Sequence, residues 1–341
     1  MAGIRVEKKN AEAVRAYLKA HKLMDKQHCV FSRNSFIYFP MLRPGAGEMA
    51  HLKKLGAEPT DAAFMRQKMP RGYRDALLKE LGMRGYEKAV KSYDLVGDTA
   101  IIDARHGLAM KIAKALSVSD RRIKRVISKA GAVKGSFRTR DFRHVWGRKG
   151  YEVEYRENGI LLSLDIRKAF FSPRLAYERK RISDSARDGE NVVVMFAGAG
   201  PFDILLAKSH VHDAVVAIEM NRDAHRYHLR NIALNKVANV VPILGDVRDF
   251  GARYRGFADR IVMPLPRDSH HFLETAAAMA GKRCIIHYYA FAGKGEPYSH
   301  HLELLRSFFG ARGRKVRILL KRIVRTYSPA EDEIVIDFMV Y

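Results

Sequence analysis

Apolar and polar positions change their spacing several times along this chain, and each change marks a different kind of element. Residues 4–41 open with a small α/β unit. "NAEAVRAYLKAHKLM" starts on an Asn suited to capping and carries apolar residues at helical spacing. "HCVFSRNSFIYFP" then reads as two short strands around a turn at Ser32–Ser35. From Arg43 to Gly72 the pattern loses its period among Gly, Pro, Met and charges, which predicts a linker. Residues 73–157 give a second unit: a helical opening, a strand at "YDLVGDTAIID", a helix at "HGLAMKIAKAL" and a very basic segment. Alternation around Asn158-Gly159 in "YEVEYRENGILLSLDI" is a strong hairpin signal, and the hairpin leads into the third unit. Beyond it, buried-type strands ("NVVVMFAG", "AVVAIEM", "VVPILGD", "DRIVMPLP", "RCIIHYYAF") alternate with helical segments. That order predicts an α/β fold with a doubly wound parallel sheet. "VRILLKRIVRTYSPAEDEIVIDFMVY" closes it as an antiparallel pair at the sheet edge. The domain expectation is therefore 1–62, 63–157 and 158–341, the first two being smaller α+β domains.

Charge changes this picture. The 341 residues hold 62 Lys and Arg against 37 Asp and Glu, a net +25, which favours a polyanionic partner over a plain basic surface. Eleven of those bases lie between Arg121 and Lys149, with one acid, Asp141, and with Phe137, Phe142 and Trp146 interleaved. Bases alternating with rings suit an RNA backbone track with stacking platforms, the bland alternative being a solvated basic face. Cys29 and Cys284 stand alone, and His144, His270, His271 and His287 have no metal spacing. No disulfide, metal cluster, signal peptide or membrane span is expected, so the chain reads as cytoplasmic.

The stretch "VVMFAGAGPFDILLA" at 193–207 carries the candidate chemistry. Gly198 and Gly200 follow the first buried strand, where a ligand at the strand ends needs close backbone approach. Asp203 stands where a dinucleotide fingerprint needs a small residue, which disfavours a pyrophosphate cradle. Glu219 ends the second strand and can accept both hydroxyls of a ribose, while Asp246 ends the third and suits an adenine amine. Three strand-end signals in succession favour S-adenosylmethionine over a purely structural turn. "FSPRLAYER" adds a helix start with Ser172 as cap and Pro173 first, and places Arg174 and Glu178 four apart on one face. They read as functional groups or as an exposed ion pair.

Together "GIRVEKKNAEAVRAYL", "YDLVGDTAII", "GSFRTRDF", "FFSPRLAYERKRI", "MFAGAGPF", "ILGDVR", "DRIVMPLPRDSHHFL" and "IIHYYAF" resemble the archaeal and eukaryotic tRNA (guanine37-N1)-methyltransferases, in order and over nearly the whole chain. The resemblance implies a Rossmann-like class I methyltransferase domain after two smaller ones, with tRNA as partner and a monomer expected. It implies that Glu178 is the general base and that Arg138 steadies the target guanine. Around the cofactor it places Phe170, Arg174, Phe196, Gly198, Gly200, Glu219, Asp246 and Val247. On the tRNA side it places Arg138, Arg140, Pro264 and Pro266, with Arg121, Arg122 and Lys124 on the basic track. Three positions depart from the family pattern: Pro264 where Asn is usual, Phe170 for Tyr, and Val194 for an acid before "MFAG".

The chemistry suits these groups. Guanine N1 is a poor nucleophile until its proton leaves, so methyl transfer needs a base at N1 and a positive group at O6. A cytosine-C5 enzyme would need a cysteine nucleophile, and Cys284 sits inside a buried-type strand. Two alternatives stay open: a wybutosine-pathway relative that transfers an aminocarboxypropyl group or methylates a tricyclic guanosine, and a non-catalytic RNA-binding module. A magnesium requirement does not follow from the residues.

Overall fold

The computed structural model describes residues 3–25, 28–65, 72–135, 137, 139–211, 214–295 and 297–341. It separates into two compact units, Met1–Gly72 and Tyr73–Tyr341. In the first, strands β1 (Gly3–Glu7), β2 (Phe31–Arg33), β3 (Phe36–Pro40) and β4 (Glu58–Thr60) form an antiparallel sheet in the order β2-β3-β1-β4. Ile4 and Val6, two apart on β1, face one side of it. Helix α1 (Ala11–Ala20) covers that side with Val14 and Leu18, and all four are fully buried with Phe39.

The expected linker from Arg43 is corrected here. It contains helix α2 (Ala46–Lys54), whose free N-terminus is capped by Glu48, and strand β4. Gly45 N donates to Glu48 Oε2 at 2.7 Å, and Leu52 is the helix's one fully buried residue, so no amphipathic period shows in the sequence.

In the second unit, helices α3 (Tyr73–Lys88) and α4 (His106–Ser119) accompany a sheet ordered β5-β6-β7-β8. Its strands are β5 (Tyr93–Val96), β6 (Thr99–Ile102), β7 (Arg125–Lys134) and β8 (Thr139–Gly147). The stretch read as one strand at 93–103 is thus a tight hairpin. Gly97 turns it at φ +59°, and a Cβ there would come within 2.0 Å of the Glu154 carbonyl. The basic run 121–149 is mostly the β7–β8 hairpin.

Next come the hairpin β9 (Glu152–Glu157) and β10 (Ile160–Asp165), and then helix α5 (Ala176–Ser185). The large sheet has the order β13-β12-β11-β14-β15-β17-β16. Its strands are β11 (Asn191–Met195), β12 (Ala214–Glu219), β13 (Val240–Leu244), β14 (Ala258–Met263), β15 (Ala280–Gly293), β16 (Val316–Thr326) and β17 (Glu331–Val340). Pairing is parallel from β13 to β15, and β17 is antiparallel to both neighbours. The closing pair is therefore at the edge as expected, with β16 outermost.

Alternation along β11 sends Val193 and Met195 to one face, against helices α8 (Leu273–Met279) and α9 (Ser299–Gly310). Val192 and Val194 go to the other, against α5 and α6 (Asp203–Ser209). Val194 is fully buried, so an acid there would be an uncompensated charge in a packed face. Helix α7 (Arg222–Asn235) binds the free edge of β10 through two asparagines one turn apart. Leu161 N donates to Asn235 Oδ1 (2.9 Å) and Ser163 N to Asn231 Oδ1 (2.7 Å). The same two amides donate back to the Leu161 and Ser163 carbonyls, and Asn231 also to the Ala199 carbonyl at 2.8 Å.

Candidate active site

Sheet order reverses at β11, which has β12 on one side and β14 on the other, and a cleft opens at the carboxyl ends of these strands. Its volume is about 410 Å³, in the range of small-molecule sites. Phe196, Gly198, Glu219 and Asp246 line one part, each immediately after or at the end of its strand. Pro264, Leu265 and Asp268 line another, with His271 and Phe272, and Phe137 and Phe170 complete the wall.

Main-chain amides set the first part. Glu219 accepts Gly198 N on Oε2 and Asn221 N on Oε1, both at 2.7 Å. Burial pushes its carboxyl above the ordinary range even against these donors. A carboxylate has about four acceptor positions, so two remain for ligand hydroxyls. Gly198 has φ +60°, and a Cβ there would meet nothing nearer than the Phe170 carbonyl at 3.9 Å, so the space above it is open to the cleft. Phe196 takes the same left-handed conformation at φ +63°, costly for a bulky residue, and packs edge-on to Phe272. Asp246 accepts Arg248 N and Nε at 3.0 Å, and this arginine holds its carboxyl below the usual range.

Asn221 was not foreseen. It caps α7 by accepting Asp223 N (3.0 Å) and Ala224 N (3.3 Å), and donates to the Lys168 carbonyl at 2.7 Å. "EMNRD" carries that signal as an Asn before a helix with an acid in its first turn. Nothing in the sequence marks Asp268, a cleft carboxylate whose charge acts on the His270 ring.

Several expected site residues lie elsewhere. Gly200 has φ +88°, but a Cβ there would sit 2.4 Å from His228 Cδ2, so its smallness serves packing. The His228 ring lies 2.5 Å from Asp203, both fully buried beneath the glycine loop. Val247 belongs to the sheet core. Pro266 is buried, and its carbonyl accepts Phe291 N at 3.1 Å. Ser172 makes no side-chain cap bond. Arg174 donates to Asp94 Oδ1 at 2.6 Å and does not face Glu178.

Glu178 lies in a buried polar network and not on the cleft wall, although its neighbours Leu175 and Arg179 do line it. Its Oε1 accepts Arg322 Nη1 at 2.6 Å; its Oε2 accepts Arg181 Nε at 3.0 Å and Tyr289 OH at 3.1 Å. Arg181 continues to Asp337, which also meets the His287 ring at 2.7 Å. Burial opposes the charge on Asp337, but His287 and Arg181 outweigh it and hold the carboxyl down at about 2.

Arg138 lies outside the described residues. Arg121, Arg122 and Lys124 are exposed ahead of β7, Arg122 being paired with Asp120, and Arg140 is half-buried on β8. Arg125, in the same basic run, is structural: it is buried, with Nε donating to Thr99 Oγ1 at 2.9 Å and Nη2 to the Glu152 carbonyl at 2.6 Å. Both cysteines are free, and no cluster able to hold a metal occurs among the described residues.

Seven strands wound about a switch point, with a glycine turn and two acids at successive strand ends, define a class I S-adenosylmethionine-dependent methyltransferase. Residues 153–318 match the TRM5/TYW2 methyltransferase domain, residues 3–47 the tRNA methyltransferase 5 N-terminal domain, and residues 73–150 the TYW2 N-terminal domain. The chain is 38% identical to the tRNA (guanine(37)-N(1))-methyltransferase Trm5b of Pyrococcus abyssi over 340 residues, 99% of this chain and 98% of that one. It is similar to the structure of aTrm5 in complex with tRNALeu (TM-score 0.72, 28% identity, all of both chains). It is also similar to Methanocaldococcus jannaschii TYW2 in complex with AdoMet (TM-score 0.58, 29% identity), across 73% of this chain and 99% of that one. The chain belongs to the TRM5/TYW2 methyltransferase family.

Proposed function

We propose that this protein methylates N1 of guanosine 37 in the anticodon loop of tRNA. The observation that carries the reading is the cleft itself: a nucleoside-binding end built on Gly198, Glu219 and Asp246 opens onto Pro264, Leu265 and the exposed ring of Phe137. Phe137 follows β7, so the basic hairpin reaches the place where a base would be received.

S-adenosylmethionine supplies a methyl group on a positively charged sulfur. Glu219 accepts the ribose hydroxyls, Gly198 admits the ligand close to the main chain, and Asp246 accepts the adenine amine. Phe170 lies beside the cofactor and Pro264 beside the target base, where it contributes a flat apolar surface without a donor. Arg138 donates to O6 as charge gathers there, and Glu178 takes the N1 proton once one of its acceptor positions is freed. Arg121, Arg122, Lys124 and Arg140 meet the phosphate backbone, and residues 1–62 contact the tRNA body. The protein works as a monomer in the cytoplasm; no helix among the described residues is long and apolar enough to cross a membrane.

A wybutosine-type transfer is the second reading, favoured by Pro264 in place of an amide. Full-length likeness to Trm5b supports the first, since two TYW2 structures cover only 73% and 79% of this chain. The deciding test is single-turnover transfer to unmodified tRNA transcripts with and without guanosine 37, followed by nucleoside mass spectrometry. N1-methylguanosine that depends on position 37 is expected. An aminocarboxypropyl product, or transfer indifferent to position 37, would overturn the proposal.

A further inference from the structure

We propose that Arg322 is a positioning residue that keeps Glu178 engaged until RNA phosphate draws it away. This rests on the reading of Glu178 as the base. Three donors from three elements hold the Glu178 carboxylate: Arg181 on its own helix, Tyr289 on β15 and Arg322 on β16. Around them, Asp337 on β17 holds Arg181, and Arg179 on α5 is committed to Glu157. Oε2 takes both Arg181 and Tyr289, so Oε1, held by Arg322 alone, is the oxygen that a departing donor would expose to an N1–H.

The three donors are not equally able to leave. Tyr289 is buried, and Arg181 is tied at its other end to Asp337. Arg322 has a third of its side chain exposed, sits on the outermost strand, and lies over the face of exposed Tyr177, at 4.3 Å. Residues 312–325 hold seven Lys or Arg and no acid, a second basic stretch far in sequence from 121–149. A phosphate arriving there offers the guanidinium a bidentate partner of higher charge than one carboxylate. Once Arg322 turns to it, Oε1 is free. The N1–H bond would then break, the proton passing to Oε1 and the electron pair staying on N1; as that pair bonds the methyl carbon, the carbon–sulfur pair would return to sulfur, which leaves as a neutral thioether.

The test compares single-turnover pH profiles on a full-length tRNA transcript and on a short anticodon-loop oligonucleotide with few phosphates. For Arg322→Ala, the acid limb on the short RNA moves to higher pH by about one unit, with about a tenfold gain in rate above it. The full-length profile stays near wild type, because Arg322 is already displaced there, and Arg322→Lys retains the wild-type limb on the short RNA. Equal loss on both RNAs without a limb shift would make Arg322 a packing residue. An equal limb shift on both would show that tRNA does not displace it. Glu178→Gln on the wild-type background separates the two ideas: a near-normal rate would remove the base itself, leaving Asp268 on the cleft wall as the next carboxylate to try.

Discussion

Two carboxylates of this protein are held in opposite ways. Glu219 is tied by backbone amides of the turns after β11 and β12, groups fixed wherever those turns form. Glu178 is tied by side chains from α5, β15 and β16, brought together only by the finished sheet. The first arrangement is preset and leaves acceptor positions open to a ligand. The second has side-chain donors on both of its oxygens. On the proposed roles, binding is built on the main chain, whereas proton transfer is built on a side-chain network.

The sharpest way to break this contrast is Glu178→Gln. Single-turnover methyl transfer should fall by roughly 10²–10⁴ while S-adenosylmethionine affinity measured by calorimetry stays unchanged. A parallel loss of affinity would mean that both carboxylates serve the cofactor. Glu219→Ala should do the reverse, weakening cofactor binding by about 1.5–3 kcal/mol. Since burial raises the Glu219 carboxyl, wild-type affinity should decline as pH falls through a point above that of an ordinary glutamate. Titration at several pH values checks the sign: a flat profile would show that the protonated carboxyl binds equally well.

Smaller effects sharpen the comparison at the glycines. Gly200→Ala should destabilise by about 1–3 kcal/mol in urea unfolding, because the methyl group enters the His228 ring. Gly198→Ala meets no such contact, so beyond about 1 kcal/mol of backbone strain at its φ of +60° its loss should appear in cofactor affinity. Finest of all is the basic track: replacing Arg121 and Lys124 with Gln should flatten the salt dependence of tRNA binding by about 0.7–0.9 log units per lost phosphate contact. An unaltered slope would make this run a solvated surface.

What was legible in the sequence follows the same division. Valine-rich strands, the glycine turn and the acids at strand ends are local patterns, and Gly198, Glu219 and Asp246 converge as expected. Partners of Glu178 lie 111 and 144 residues away, beyond the reach of any spacing rule. Arg174 looked like the partner of Glu178 because a continuous α-helix would align them. Residues 173–175 instead form a 3-10 turn, and Asp94 takes the arginine. At the other end of the chain, β4 has only three residues and α2 buries one leucine fully, so tertiary pairing and not periodicity makes them regular.

The two amides that α7 lends to β10 have a bearing on where this chain can be divided. They act as a substitute strand, satisfying an edge that would otherwise be open to another polypeptide. Asn231 also grips the Ala199 carbonyl, so the hairpin, the helix and the glycine turn are joined at one side chain. A fragment beginning after Asp165 would keep the whole seven-stranded sheet yet lose every hydrogen bond between these amides and β10, leaving Asn231 on the Ala199 carbonyl and Asn235 on the Asn231 carbonyl. A fragment beginning before Glu152 would retain them. Dissection of the catalytic half therefore has to be made ahead of the hairpin, since the smallest piece able to hold the glycine turn in shape includes two strands that never join its sheet.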